Sequence, residues 1–290
     1  MQSRAVAIAA TVLLMIVWGT TYIVTKVAIR EFPPLTLAAL RFLITALVLL
    51  PFAIAAGGLK RLPQPLPIGR LVSMALTGFV LYYAAFNYAL EFGSASQGAL
   101  IQALLPAAVA LAAVIVLRER LSKRRIAGIA LAICGVALIV GAGQSDSASP
   151  NPLLGAFLML ASVVVWAIYT VQAKQLADCE PTVLLTVVAS IGTVLQLPLV
   201  AFELAHHPQP MAFTLQGWAS VVFLGALASG AGLLVYNRAL RVLDASLIGA
   251  YINLVPIVGV LTAVLFLGES LAGWQITGAV LALVGMWLAS

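Results

Sequence analysis

Ten stretches of this chain stay apolar for about the 20 residues that a membrane-spanning helix needs. They fall near 5–25, 34–56, 70–90, 94–117 and 123–141, then near 152–174, 181–204, 216–240, 244–267 and 271–289. Lipid offers the backbone no hydrogen-bond partners, so only helices or closed barrels span it. The runs lack the two-residue alternation of barrel strands, and each is read as a helix. Only 8% of residues are charged, against about 25% in a soluble domain, too few to dress a water-facing surface. The expected fold class is an all-α integral membrane protein with ten transmembrane helices.

The basic balance, +6 at pH 7, reports orientation rather than a nucleic-acid partner. With a cytoplasmic N-terminus, Arg4, Lys60, Arg61, Arg70, Arg118, Arg120, Lys123, Arg124, Arg125, Lys174, Arg238 and Arg241 all fall on the cytoplasmic side. Only Lys26, Arg30 and Arg41 fall toward the other side. This positive-inside bias predicts that both termini are cytoplasmic. Cys134, inside the fifth segment, and Cys179, in a cytoplasmic loop, are not expected to pair. The first segment is too long for a signal-peptide core and is read as a retained helix.

Residues 87–138 recur, without a gap, 150 positions later. Asn87, Ala89 and Leu90 return as Asn237, Ala239 and Leu240, Ala95 and Ser96 as Ala245 and Ser246, and Pro106 as Pro256. Glu119, Leu121, Gly128 and Gly135 return as Glu269, Leu271, Gly278 and Gly285. Upstream, Trp18 and Lys26 match Trp166 and Lys174, and Pro34 and Pro51 match Pro181 and Pro198. Each copy holds five helices, an odd number, so the second must cross the membrane in the opposite sense. The expected organisation is two inverted five-helix repeats, 1–143 and 152–290, joined by a polar linker at 144–151. Duplicated, inverted units mark secondary transporters, whose substrate site lies between the halves.

The halves resemble two copies of the EamA domain of the drug/metabolite transporter superfamily. The resemblance is carried by Trp18-Gly19-Thr20-Thr21-Tyr22, Arg41-Phe42, Asn87-Tyr88-Ala89-Leu90 and Glu119-Arg120-Leu121 with Gly128 and Gly135. The second copy repeats the later motifs as Asn237-Arg238-Ala239-Leu240, Gly268-Glu269-Ser270-Leu271, Gly278 and Gly285. It implies ten helices, cytoplasmic termini, a bacterial inner-membrane location and export of small metabolites, amino acids above all. It also implies a central cavity walled by both halves, with helices five and ten at the periphery.

No enzyme constellation is visible, and no cofactor or metal is expected. His206 and His207 sit in a loop without partners at metal-ligand spacing. No nucleophile elbow, Ser-x-x-Lys pattern or phosphate loop occurs. The nine carboxylates lie in loops or at helix ends, so the helix interiors lack an obvious proton relay.

Substrate recognition is therefore assigned to neutral polar and aromatic groups and to backbone freed at helix breaks. Pro106 and Pro256 each deny a hydrogen bond to the carbonyl four residues earlier, Gln102 and Ile252. The competing reading is a kink that only shapes packing. Tyr82, Tyr83 and Asn87 in the third segment, with Tyr236 and Asn237 in the eighth, form a candidate polar aromatic wall. An interhelix hydrogen bond is the structural alternative for the asparagines. Trp18 and Tyr22, and Trp166 with Tyr169, are mid-helix aromatics that either line the cavity or pack. Gln97, Gln102, Tyr251 and Asn253 complete the candidates. Snorkelling is the default reading of Lys26 and Arg41. Arg41 is read more sharply as a gate or structural ion-pair partner of Glu31. Since the Arg-Phe pair belongs to the pattern of the family the chain resembles, a fold or gate role is preferred to direct substrate binding. Glu119 and Glu269 are expected to cap the helix that follows each. The paired glycines of segments five and ten form a seam for close packing, within one chain or across a dimer.

The resulting expectation is an exporter of neutral or aromatic amino acids, working by alternating access as a monomer or weak homodimer in the lipid bilayer. A proton-coupled exporter of drugs or other metabolites is the alternative. A membrane-embedded enzyme or a non-transporting scaffold ranks lower.

Overall fold

A computed structural model of the chain describes residues 4–117, 122–141, 149–176, 178–206, 214–240, 243, 247 and 251–289. Glu119 with its flanking arginines, His207, Arg241, Ala245, Ser246 and positions 144–148 of the expected linker lie outside these residues.

Among the described residues every long apolar run is helical and no strand occurs. The helices are α1 (Arg4–Ala28), α2 (Pro34–Ala55), α3 (Ile68–Phe92), α4 (Ala95–Gln102, then Leu105–Leu117) and α5 (Lys123–Gly141). The second half supplies α6 (Pro152–Lys174), α7 (Pro181–His206), α8 (Leu215–Val222, Phe223–Ala231, Gly232–Leu240), α9 (Leu254–Leu267) and α10 (Gly273–Ala289). Among the described residues seven spans are long and apolar enough to cross a membrane, while Leu254–Leu267 and Gly273–Leu288 are shorter apolar helices. Large apolar side chains such as Leu13, Leu47, Phe157, Phe202 and Leu265 point outward, as lipid-facing surface requires.

Local chemistry starts the helices. Pro34, Pro152 and Pro181 occupy first positions, where a missing N–H costs nothing. Ser94, Asn151 and Thr214 each accept a hydrogen bond from the backbone three residues on. His206 is the last residue of α7 rather than part of a loop, its Nδ1 lying 2.8 Å from the Phe202 carbonyl.

Two kinds of irregularity recur at matching places in the halves. Helix α4 stops at Gln102 and restarts at Leu105 beside Pro106, with a tight turn between them. A turn at Asn253 likewise precedes α9 and Pro256. These are breaks, deeper than the kinks expected. Helices α3 and α8 each contain a π-helical stretch, Leu76–Leu81 and Phe223–Ala231. The sequence reading missed both.

Packing follows a two-fold pattern. Helices α2 and α7, α4 and α9, and α5 and α10 pair with their own counterparts. The other extensive contacts exchange between halves: α1 on α9 and α8 is mirrored by α6 on α4 and α3, and α2 on α8 by α7 on α3. The glycine seam is intramolecular. A Cβ on Gly135 would lie 2.6 Å from the Gly278 carbonyl oxygen, and one on Gly285 would be 2.6 Å from that of Gly128. The seam therefore joins α5 to α10 and is not free for a dimer.

Candidate functional site

The π turn in α3 sits just before its aromatic run and resets the register in which those side chains face their neighbours. From there Tyr82 packs 4.5 Å from Trp166 and 4.6 Å from Tyr83, ring centre to ring centre. Trp166 continues to Tyr169 at 4.9 Å, and Tyr83 to Phe42 at 4.6 Å. Tyr22, buried on α1, closes on Phe86 at 5.5 Å. Gly78 lets the Tyr169 ring lie directly on the α3 backbone, since a Cβ there would run into that ring. This aromatic box draws on both halves: α1, α2 and α3 from the first, α6 from the second. Tyr82, Tyr83 and Trp166 stay half-buried, whereas Tyr22 and Tyr169 are buried.

An amide joins the box. Gln102, the last residue before the α4 break, donates through Nε2 to Tyr82 Oη at 3.2 Å and Ser162 Oγ at 3.3 Å. Pro106 has no N–H for the Gln102 carbonyl, so this one residue presents both an anchored amide and a backbone acceptor at the break. Below the box, Thr77 and Ser73 of α3 bond the amide of Gln172 on α6 at 2.9 Å each. A cavity of about 120 Å³ lined by Arg70, Ser73, Met74, Gln172 and Gln175 opens at this level.

A second pair lies elsewhere. Trp18 meets Tyr236 at 5.5 Å, and its Nε1 donates to the Ala228 carbonyl, inside the α8 π stretch, at 2.9 Å. Trp18 and Tyr22, though one helical turn apart, therefore serve different neighbours. The asparagines take structural positions. Asn87 Nδ2 donates to the Pro34 carbonyl at 2.8 Å, tying α3 to the start of α2, with its Oδ1 buried and unpartnered. Asn237 has a buried Nδ2 without a partner among the described residues. Tyr251 and Asn253 are half-buried at the turn before α9, and Asn253 makes no side-chain cap. Among the described residues no side-chain hydrogen bond or ring contact joins Asn87, Asn237, Tyr251 or Asn253 to the aromatic box. Gln97 is buried near the start of α4.

Four expectations about charged groups are corrected. Lys26 does not simply snorkel: its Nζ donates to the carbonyls of Leu90 and Gly93 at 2.6 and 2.5 Å, at the end of α3, where a helix C-terminus attracts a cation. Arg41 neither snorkels nor pairs with Glu31. It is buried, its Nε bonds Ser229 Oγ on α8 at 2.9 Å, and its guanidinium lies 4.5 Å from the Tyr83 ring centre. Glu31 instead accepts from the Thr214 hydroxyl at 2.7 Å. Glu269 caps α4, in the other half, instead of the helix that follows it: Ala95 and Ser96 N–H donate to its two oxygens at 2.8 Å each.

A buried acid also belongs to this end of the bundle. Glu203, in the last turn of α7, accepts from Leu35 N, Thr36 N, Thr36 Oγ1 and Tyr88 Oη at 2.8–3.0 Å. Of the residues that sequence reasoning overlooked, Ser162 was within reach, lying four residues before Trp166 on the same helical face. Ser229 and Glu203 carried no such local signal.

Interrupted helices, matched π turns and an aromatic box shared between inverted halves define a multi-span membrane transporter. The chain belongs to the EamA-like transporter family, whose model matches residues 5–141 and again 153–290. A second model, solute carrier family 35, matches residues 84–206. A probable amino-acid metabolite efflux pump of Salmonella typhimurium is 29% identical, over 95% of this chain and 92% of its own length. A probable terminal-alkyne amino-acid exporter of Streptantibioticus cattleyicolor is also 29% identical, over 97% of this chain and 92% of that one. A transporter of Archaeoglobus fulgidus is 27% identical over 95% of this chain and 94% of its own. One crystal structure shares the fold with a TM-score of 0.66 at 21% identity, covering 99% of this chain and 97% of that one.

Proposed function

We propose that this transporter exports neutral and aromatic amino acids across a bacterial inner membrane, with both termini cytoplasmic. The observation that carries the proposal is the box of Tyr82, Tyr83, Trp166 and Tyr169, with Gln102 anchored at its edge, shared between the halves. Aromatic walls suit an apolar side chain, and an anchored amide with a freed carbonyl suits the polar end of an amino acid. The probable amino-acid exporters among its relatives support the same substrate class. Solute passes by alternating access, the halves moving against one another around the box. Trp18, Tyr22, Tyr236, Tyr251, Asn253, Asn87 and Asn237 are the outer candidates for contact along that path. The two segments 1–143 and 152–290 act as the moving units, in one chain or a weak homodimer.

Proteoliposomes loaded with labelled phenylalanine or leucine test the reading. Saturable efflux reduced severalfold by W166A, at unchanged reconstitution, supports it. Efflux no faster than from protein-free vesicles overturns it. An imposed pH gradient on the same vesicles separates facilitated export, which ignores the gradient, from proton coupling, which accumulates substrate against its own.

A further inference from the structure

Helix α2 carries a buried cation whose counter-charge the described chain does not supply. Arg41 is 6% exposed and lies seven residues, about 10 Å of helix, beyond Pro34. A guanidinium offers five N–H donors in a planar fork, and Arg41 spends one, Nε, on Ser229. Tyr83 and Phe42 face the charge at 4.5 and 5.9 Å, a favourable contact for a cation but one that accepts no conventional hydrogen bond. Neither Nη atom reaches an acceptor among the described residues, and neither is sealed off as a buried, unpartnered atom.

The two acids at the outer end of α2 and its neighbours α1 and α7 are engaged elsewhere. Glu31 holds Thr214, and Glu203 holds the start of α2 through Leu35 and Thr36. An ionised group within an apolar span is costly unless it is paired or serves a substrate. The unused edge of the fork is shaped for two parallel hydrogen bonds to a carboxylate.

We propose that Arg41 is the carboxylate-binding group of the substrate site. Its neighbour Tyr83 is part of the aromatic box, so a carboxylate held on the fork lays the attached side chain toward Tyr82 and Trp166. Ser229 fixes the rotation of the fork through Nε. The ligand class is a small amphiphile with a carboxylate and an apolar or aromatic body. Amines without a carboxylate, and quaternary cations, are rejected by the same charge. The assignment rests on the proposed export function only in taking the box as a substrate wall.

The test measures binding to purified protein in detergent by calorimetry, using 3-phenylpropionate, phenylalanine and 2-phenylethylamine. Wild type should bind the two carboxylates and discriminate against the amine. R41Q, shown to be folded by its elution profile and circular dichroism, should lose roughly tenfold or more in affinity for 3-phenylpropionate. R41K, which keeps the charge without the fork, should fall between. The proposal is overturned if wild type binds no carboxylate at millimolar concentration, binds 2-phenylethylamine equally well, or loses nothing in R41Q. Should R41Q not fold, unchanged affinity in R41K overturns it. If wild type shows no amino-acid efflux yet 3-phenylpropionate binding depends on Arg41, the export function falls while this assignment stands.

Discussion

The carboxylate of Glu269 receives the backbone N–H of Ala95 at 2.8 Å, and so a loop of the second half caps a helix of the first. Its other oxygen takes Ser96 N–H at the same distance. An anion at a helix N-terminus meets the positive end of the dipole and satisfies donors that no helix can satisfy internally. Glu203 does the same across the halves for the start of α2. Both clamps, with Lys26 on the α3 carbonyls, lie at the membrane face opposite the chain termini. A motion that parts the halves at that face must break both glutamate clamps, so in the proposed alternating-access cycle they hold one state closed.

The cap on α4 should be measurable as stability. E269A strands two donors at the buried start of α4, at a cost of about 1–3 kcal/mol for each charge-assisted bond lost. E269Q keeps an acceptor and should lose less. Thermal denaturation in detergent should rank wild type above E269Q and E269Q above E269A. Equal midpoints for wild type and E269A would mean that the cap contributes nothing.

Trp18 ties α1 to the π stretch of α8 through the Ala228 carbonyl. W18F keeps a ring against Tyr236 but leaves a buried carbonyl without its donor, costing about 1–3 kcal/mol. The denaturation midpoint should fall, and W18A, which also removes the ring, should fall further. W18F as stable as wild type would show that the carbonyl finds another partner.

Legibility followed the range of each interaction. Helix number and the inverted repeat were visible because apolar length and charge placement act locally along the chain. The partners of Glu269, Arg41 and Trp18 lie 174, 188 and 210 positions away, and no local pattern encodes such pairings. The π turns left only glycines, Gly78 in one and Gly225 and Gly230 in the other, as a trace. Within the candidate site, helical spacing put Trp166 and Tyr169 on one face of α6, where their rings meet. It could not show that Gln102 closes on Tyr82, because the α4 break sets that approach.

The glycine seam makes a prediction about assembly. Replacing Gly135 with valine forces side-chain atoms onto the α10 backbone, where even a Cβ has no room. Overpacking of this kind costs about 1–3 kcal/mol. G135V should denature at lower temperature while its oligomeric state, read by light scattering, matches that of wild type. Conversion of a dimer to a stable monomer by G135V would place the seam between chains instead.

Cys179 reports both orientation and environment. It is buried in the loop between α6 and α7, at the face that carries the chain termini. Burial, and secondarily the charge of Asp178, push its thiol above the usual 9.0. Both favour the protonated form, and the thiolate is what attacks a maleimide. At pH 7 to 8 Cys179 should therefore label more slowly than the same thiol in the unfolded chain, and its rate should climb about tenfold per pH unit until the raised pKa is reached. The linked stability has the same sign: it is full below the unfolded pKa and is lost as pH rises through the folded value. Cys134 lies on the exposed surface of α5, so C134S isolates the signal. A membrane-impermeant maleimide should label C134S only from the cytoplasmic side of oriented vesicles. Labelling from the periplasmic side would invert the proposed topology, and a rate independent of pH would show that the thiol is not the buried group the structure places there.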